Sequence, residues 1–314
     1  MKATVAVGGN ALLEKYDRGT AEEQINRAEI TARKTINFLR ENEVVITHGN
    51  GPQVGAILLQ NEFSSSITPP MPLDVCGAMS QGSIGYFLQT SFQNVFNMEG
   101  VEKKVVTLIT RTVVDLNDPA FKNPTKPIGK YYTKEEAAVL ERNNGYVMRE
   151  DSGRGYRRVV PSPDVVDNIE KDAIKLLYEN DFIVIASGGG GIPVVKDEKG
   201  RVYGREAVID KDLGAQLLAS VVGGDIFVIL TDVEGAYLNF GKPDQKLLRE
   251  LTVSEAKKLL EQGVFGSGSM VPKVKAAVRF AERTGKAAYI GHLYKLKEIL
   301  EEKSGTKIVP DKKQ

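Results

Sequence analysis

Short β-branched runs alternate along the chain with longer stretches of helical period. Residues 4–7 form an apolar run, and after it Ile25, Ala28, Ala32, Ile36 and Leu39 recur at the spacing of one helix face. Similar runs return at residues 44–47, 105–109, 182–186, 226–230 and 287–290, with helical stretches between most of them. The pattern predicts an α/β fold, a three-layer αβα sandwich around an open, mainly parallel sheet covered on both faces.

Residues 115–164 break the rhythm. Clustered Asn, Pro and Lys are followed by extended segments at 145–150 and 156–160 around a Ser-Gly-Arg-Gly turn. This stretch is read as an inserted, protruding subdomain carrying a hairpin, with the main domain formed by residues 1–114 and 165–314. A second hairpin, residues 192–203 turning at 197–200, is expected on the rim of the sheet. No repeat and no low-complexity tract is visible. The halves on either side of the insertion suggest two ligands meeting at one crevice.

Composition narrows the function. The chain has 314 residues, with 42 Lys plus Arg against 41 Asp plus Glu. A formal charge of +1 supplies no global field for a nucleic acid or an anionic membrane. The apolar runs fall far short of the ~20 residues of a bilayer span, and Gly8 and Gly9 interrupt the first run too early for a signal peptide. A cytoplasmic protein is expected. One cysteine, Cys76, excludes a disulfide framework, and two histidines, His48 and His292, make a zinc site improbable. His48 and Cys76 are read as packing residues, and Arg154, Arg157 and Arg158 as local structure or anion contacts.

The 31 glycines are clustered. Three predicted strands run directly into Gly8-Gly9-Asn10, Gly49-Asn50-Gly51 and the glycine run at 188–191. One such turn can be a tight βα connection and nothing more. Three at one carboxyl edge point to a phosphate site, because glycine lets backbone N–H groups approach an anion and a following helix adds its positive end. Neither the P-loop pattern nor Gly-x-Gly-x-x-Gly after a strand is present. Positive charge must therefore come from elsewhere, and Lys211 and Lys273 each sit at a predicted helix start.

These motifs resemble the carbamate kinases of the amino acid kinase superfamily. The resemblance runs from VAVGGNALL at Val5 through VVITHGNGPQVG, PLDVCGAMSQGSIGY, NPTKPIG, EDSGRGYRRVVPSP, VIASGGGGIPVV, AVIDKDL, ILTDVEGAY and GSMVPKV to GTKIVP. It implies the amino acid kinase fold, reversible phosphoryl transfer between MgATP and carbamate, and a homodimer in arginine metabolism. By the same resemblance Gly9, Asn10, Gly49, Asn50 and Gly51 surround the carbamoyl and transferring phosphoryl groups. Gly188, Gly189 and Gly190 cradle the nucleotide phosphates, and Thr231, Asp232, Val233, Tyr237, Met270 and Pro272 lie near the adenosine. Many superfamily members carry a lysine just before the first glycine pair, where this chain reads Ala6-Val7, and Lys126 of the insertion is expected to replace it.

Carbamate is already an anion, so no general base is required, and the protein is expected to align reactants and stabilise charge. Lys211 is assigned to the transferring phosphoryl, Asp212 to orienting that lysine, and Lys273 to the nucleotide phosphates. Mg²⁺ is expected on phosphates and water, with no protein ligand named. Two other functions share parts of the pattern: another acid kinase of the acetylglutamate type, and a non-catalytic nucleotide sensor.

Overall fold

The computed structural model describes residues 1–14, 16–151, 153–266 and 269–312, and the Asn10 side chain lies outside the description. Eight strands form the main sheet: β1 (Lys2–Val7), β2 (Glu43–His48), β3 (Lys104–Thr107), β4 (Phe182–Ile185), β5 (Ile226–Thr231), β6 (Glu250–Thr252), β7 (Ala288–His292) and β8 (Thr306–Val309). Their spatial order is β6-β8-β7-β5-β1-β2-β4-β3. Neighbours run parallel except β7 and β8, so the expected open, mainly parallel sheet is present with one antiparallel junction.

Nine helices are described: α1 (Ala21–Glu41), α2 (Gly51–Ser64), α3 (Leu73–Met98), α4 (Lys134–Asn144), α5 (Lys171–Tyr178), α6 (Lys211–Val221), α7 (Val253–Glu261), α8 (Met270–Thr284) and α9 (Leu296–Leu300). Alternation along the central strands builds the layers. Ala3, Val5 and Val7 of β1 pack with Ala28, Ala32, Ile36 and Leu39 of α1 and with Leu88 and Phe92 of α3. On the opposite face Ala6 joins Ala215 and Ala219 of α6 and Val274 and Phe280 of α8. Both faces of β1 are thus covered by apolar side chains, as a central parallel strand requires. Thr20 and Glu23 form a reciprocal capping box that starts α1 where the apolar stripe begins.

The hairpin expected on the main sheet's rim lies elsewhere. Ile192–Lys196 and Val202–Gly204 do pair antiparallel, but in a separate four-stranded sheet with Arg111–Val113 and Asp167–Asn168. The cause is the bend after β4. Gly191 has φ +96° and lies so close to Thr112 that a β-carbon would sit 1.9 Å from Thr112 Oγ1. Ile192 N then bonds Thr110 O, so the chains leaving β3 and β4 depart together into the second sheet.

The inserted segment contains the hairpin read from the sequence, Val147–Glu150 against Tyr156–Val160. It also contains two elements not anticipated, the strand Lys126–Tyr132 on the outer side of that hairpin and helix α4. The flanking stretches pack on the body: Phe121 and Val165 meet Val114, Val195 and Ile209, and Asp164 pairs bidentately with Arg279 at 2.6 and 2.8 Å.

Candidate active site

Three of the predicted glycine turns converge because β5, β1, β2 and β4 are adjacent and parallel. Gly8 N bonds Leu230 O, Gly49 N bonds Val7 O, and Thr47 Oγ1 donates to Ser187 O at 2.9 Å. The turns are therefore fixed to one another by the ends of their own strands.

A charged cluster stands over this edge. Asp210 caps α6 through Oδ1, which accepts from the backbone N–H of Asp212 and Leu213. Asp212, one residue into the helix, is left free for another task. Its Oδ1 accepts from Lys211 Nζ at 2.5 Å and its Oδ2 from Lys273 Nζ at 3.3 Å, while Lys273 also donates to Ser269 O at 3.1 Å. Asp212 is 2% exposed and Lys273 6%, so neither charge could be held there alone. Burial pushes the Asp212 carboxyl up, but Lys211 and Lys273 outweigh it and hold the group below the usual carboxylate range. Two cations share one buried anion, and Lys211, the more exposed of the two, faces the crevice.

Lys211 also threads the glycine turns. A β-carbon on Gly49 would lie 3.4 Å from Lys211 Cδ and 3.6 Å from Gly9 N, so Gly9, Gly49 and Lys211 are in close succession. Gly9, Lys211, Thr231, Asp232 and Lys273 line one cavity of about 190 Å³. Asp232, Val233, Tyr237 and Met270, with Phe240 and Phe265, line a second of about 180 Å³, and the two cavities share Asp232 and Ser269. A polar compartment lined by charges of both signs thus opens into an aromatic and aliphatic one. Pro272, in the first turn of α8 and two residues after Met270, lines neither cavity. Asn50, Gly51 and Lys126 line a third cavity of about 420 Å³ between the start of α2 and the inserted subdomain.

Gly188, Gly189 and Gly190 take a different position. All three are buried behind the turns, and none is among the residues lining these three cavities. A β-carbon would strike the His48 ring at Gly188, the Asn50 amide at Gly189 and Ile209 at Gly190, each within 2.7 Å. Their glycine character is explained by packing: they form the floor on which His48, Asn50 and the start of α6 rest. His48 donates from Nδ1 to Gly49 O at 2.9 Å, and burial lowers its pKa to about 4, so it is a neutral packing group. Cys76 is buried, and burial pushes its thiol up.

Four residues hold this arrangement without having been singled out from the sequence. Asp210 links α6 to Lys126 at 3.3 Å. Ser80 accepts from Asn50 Nδ2 at 2.8 Å. Gln81 donates to Gly188 O at 2.9 Å and accepts from Thr110 N at 2.8 Å, and Thr110 Oγ1 accepts from Ser187 N. The signal for Asp210 was present as an Asp just ahead of a helical stretch. Ser80 and Gln81 lie in the middle of a helix, where nothing local marks a partner on another element.

The amino acid kinase family model matches residues 1–292. Over 98% of this chain and 99% of its own length, a carbamate kinase of Pyrococcus furiosus is 51% identical. That of Trichomonas vaginalis is 49% identical over 99% of this chain and its full length. The chain belongs to the carbamate kinase family. A solved carbamate kinase from Giardia lamblia bound to AMP-PNP superposes with a TM-score of 0.93 at 45% identity, covering 99% of both chains. The similarity to carbamate kinases is thus end to end, and it includes the inserted subdomain. An aspartate kinase from Synechocystis, 15% identical with a TM-score of 0.55, shares the fold alone. The carbamate kinase motif PLDVCGAMSQG, on which the resemblance partly rested, contains the Ser80 and Gln81 that tie α3 to the glycine turns.

Proposed function

We propose that this chain catalyses reversible phosphoryl transfer between MgATP and carbamate, giving ADP and carbamoyl phosphate. A carbamate oxygen attacks the γ-phosphorus, the bond from that phosphorus to the β–γ bridging oxygen breaks, and the electron pair leaves with ADP. The protein's contribution is alignment and charge stabilisation. The observation that carries this reading is the Lys211–Asp212–Lys273 cluster at the point where the polar cavity meets the Gly9 and Gly49 turns. Lys211, the more exposed lysine, serves the transferring phosphoryl. Lys273 serves the nucleotide phosphates, and Asp212 holds both in place.

The aromatic compartment suits a nucleoside base, and the cavity between α2 and Lys126 suits the small acid. Gly9, Asn10, Gly49, Asn50 and Gly51 are assigned to that side, with Gly188, Gly189 and Gly190 supporting them from below. Mg²⁺ is proposed to arrive on the nucleotide and to keep phosphate and water ligands. The inserted subdomain, residues 115–164, is proposed to act as a lid whose Lys126 brings charge to a substrate too small to bind tightly by its own contacts.

No described helix is long and apolar enough to cross a membrane. A cytoplasmic homodimer is proposed, with exposed Val75, Met79 and Tyr86 along one side of α3 as the contact face. The deciding assay mixes ADP and carbamoyl phosphate and reads ATP. A parallel screen of carbamate, acetylglutamate, aspartate and UMP as phosphoryl acceptors separates this reaction from those of related acid kinases. ADP binding without ATP formation would mark the chain as a nucleotide sensor.

A further inference from the structure

The extended segment before α6 meets the inserted subdomain at alternate residues. Glu206 pairs with Arg158 at 2.8 Å, Val208 N bonds Pro161 O at 2.9 Å, and Asp210 Oδ2 meets Lys126 Nζ at 3.3 Å. The first two contacts fix the base of the subdomain. The third lies at the crevice, where Lys126 begins the strand Lys126–Tyr132 and Asp210 begins the helix that carries Lys211 and Asp212.

We propose that Asp210 is a positioning residue that sets Lys126 in register with Lys211. Its two carboxylate oxygens divide the work. Oδ1 accepts the N–H groups of Asp212 and Leu213, which fixes the side chain to the first turn of α6. Oδ2 holds the ammonium of Lys126. The backbone is fixed as well, because Asp210 O accepts from Gly214 N and lies in contact range of Gly190. A cation on a separate three-stranded sheet is thereby referenced to the helix bearing the other charges of the site. With side chains 38% and 18% exposed, the pair adds little stability, so its effect falls on geometry. Misplacing a charge by about 1 Å can cost on the order of 10²-fold in rate.

The proposal rests on the transfer reaction above, and the substitution Asp210→Asn separates the two tasks. Asn caps a helix as well as Asp does, but its amide Nδ2 cannot accept from an ammonium. The variant should keep the wild-type melting temperature and ADP KM. Its kcat/KM for carbamoyl phosphate should fall roughly 10- to 100-fold. Adding Asp210→Asn to Lys126→Ala should cost nothing more than Lys126→Ala alone, and backbone amides of residues 126–132 should exchange faster in both single variants. Asp210→Ala should in addition lower the melting temperature by removing the cap. Unchanged kinetics in Asp210→Asn, a rise in its activity, or additive losses in the double variant would overturn the assignment. If the wild-type protein makes no ATP, the reaction is wrong, and the exchange of residues 126–132 still decides the positioning role: no change there refutes it.

Discussion

Gly214 rests directly on Gly190. A β-carbon on Gly214 would lie 2.6 Å from both Gly190 Cα and Gly190 O, so the second turn of α6 is in backbone contact with the buried glycine loop. Gly190 itself has φ +92°, a conformation that an L side chain rarely adopts. Gly214→Ala should push α6 off its floor and destabilise the protein by about 1–3 kcal/mol, the usual range for overpacking. Because Lys211 and Asp212 ride on the same helix, kcat should fall as well. Wild-type activity and melting temperature in this variant would show that the loop yields freely.

Asp212→Asn and Lys211→Ala should fail in different ways. The first leaves Lys273, 8% exposed at its side chain, without its buried counter-charge. Breaking a buried pair costs about 3–5 kcal/mol, so both stability and turnover should suffer. The cap is not at stake, since Asp210 provides it. Lys211→Ala removes the cation at the more exposed end. That variant should stay folded and bind ADP while losing on the order of 10²–10³ in rate. Calorimetry beside the ATP-forming assay distinguishes them, and equal melting temperatures for the two variants would contradict the shared-anion arrangement.

His48 gives stability a defined acid dependence. Its pKa falls from 6.5 to about 4 because burial disfavours the imidazolium. The unfolded chain therefore binds a proton between these values while the folded chain does not. Stability from this group is complete above pH 6.5 and is lost as pH falls towards 4, by roughly 3 kcal/mol at 1.36 kcal/mol per unit. With only two histidines in the chain, the proton resonances of the imidazoles are simple to assign. A His48 resonance that titrates near 6.5 would contradict the buried, neutral state.

Excision of the inserted sheet tests the lid. Lys126 and Val160 are paired across antiparallel strands, so their chain ends lie close and a short Gly-Ser linker can join residues 125 and 161. Ile128 and Val160 would leave a small cluster with Val54, Leu73 and Cys76, exposing some apolar surface on α2 and α3. The shortened protein should fold and bind ADP but make no ATP from carbamoyl phosphate. Appreciable ATP formation would mean that neither Lys126 nor the subdomain is needed.

The sequence disclosed strands where burial on both faces produced continuous apolar runs, as in β1, β2, β4, β5 and β7. It did not disclose β6 and β8. Both lie towards one edge of the sheet, and Glu250 and Lys307 interrupt them. Helix α4 was missed although Thr133 and Glu136 form a capping box and Gly145 ends it at φ +65°. Only Ala137 of that helix is fully buried, so it has almost no apolar stripe to read. At the site, Lys211 and Lys273 were legible as helix-start charges, and Asp212 through the family resemblance. The close packing that Gly188, Gly189 and Gly190 make was not, because the groups they rest against, His48, Asn50 and Ile209, come from elsewhere in the chain. Gln81 was hidden for the same reason, its acceptor on Gly188 lying 107 residues away.

The central place of β1 has a consequence for how the protein is made. β1 pairs on one side with β2, which follows it at once in the chain, and on the other with β5, made much later, where Ala3 meets Ile226. A nascent chain ending before residue 226 presents a full-length, apolar strand edge with no partner, the kind of edge that recruits foreign strands. Although the two substrates are assigned to different halves of the chain, those halves are not separable in biosynthesis. The first half must wait, with an open seam down its middle, until most of the second has been translated.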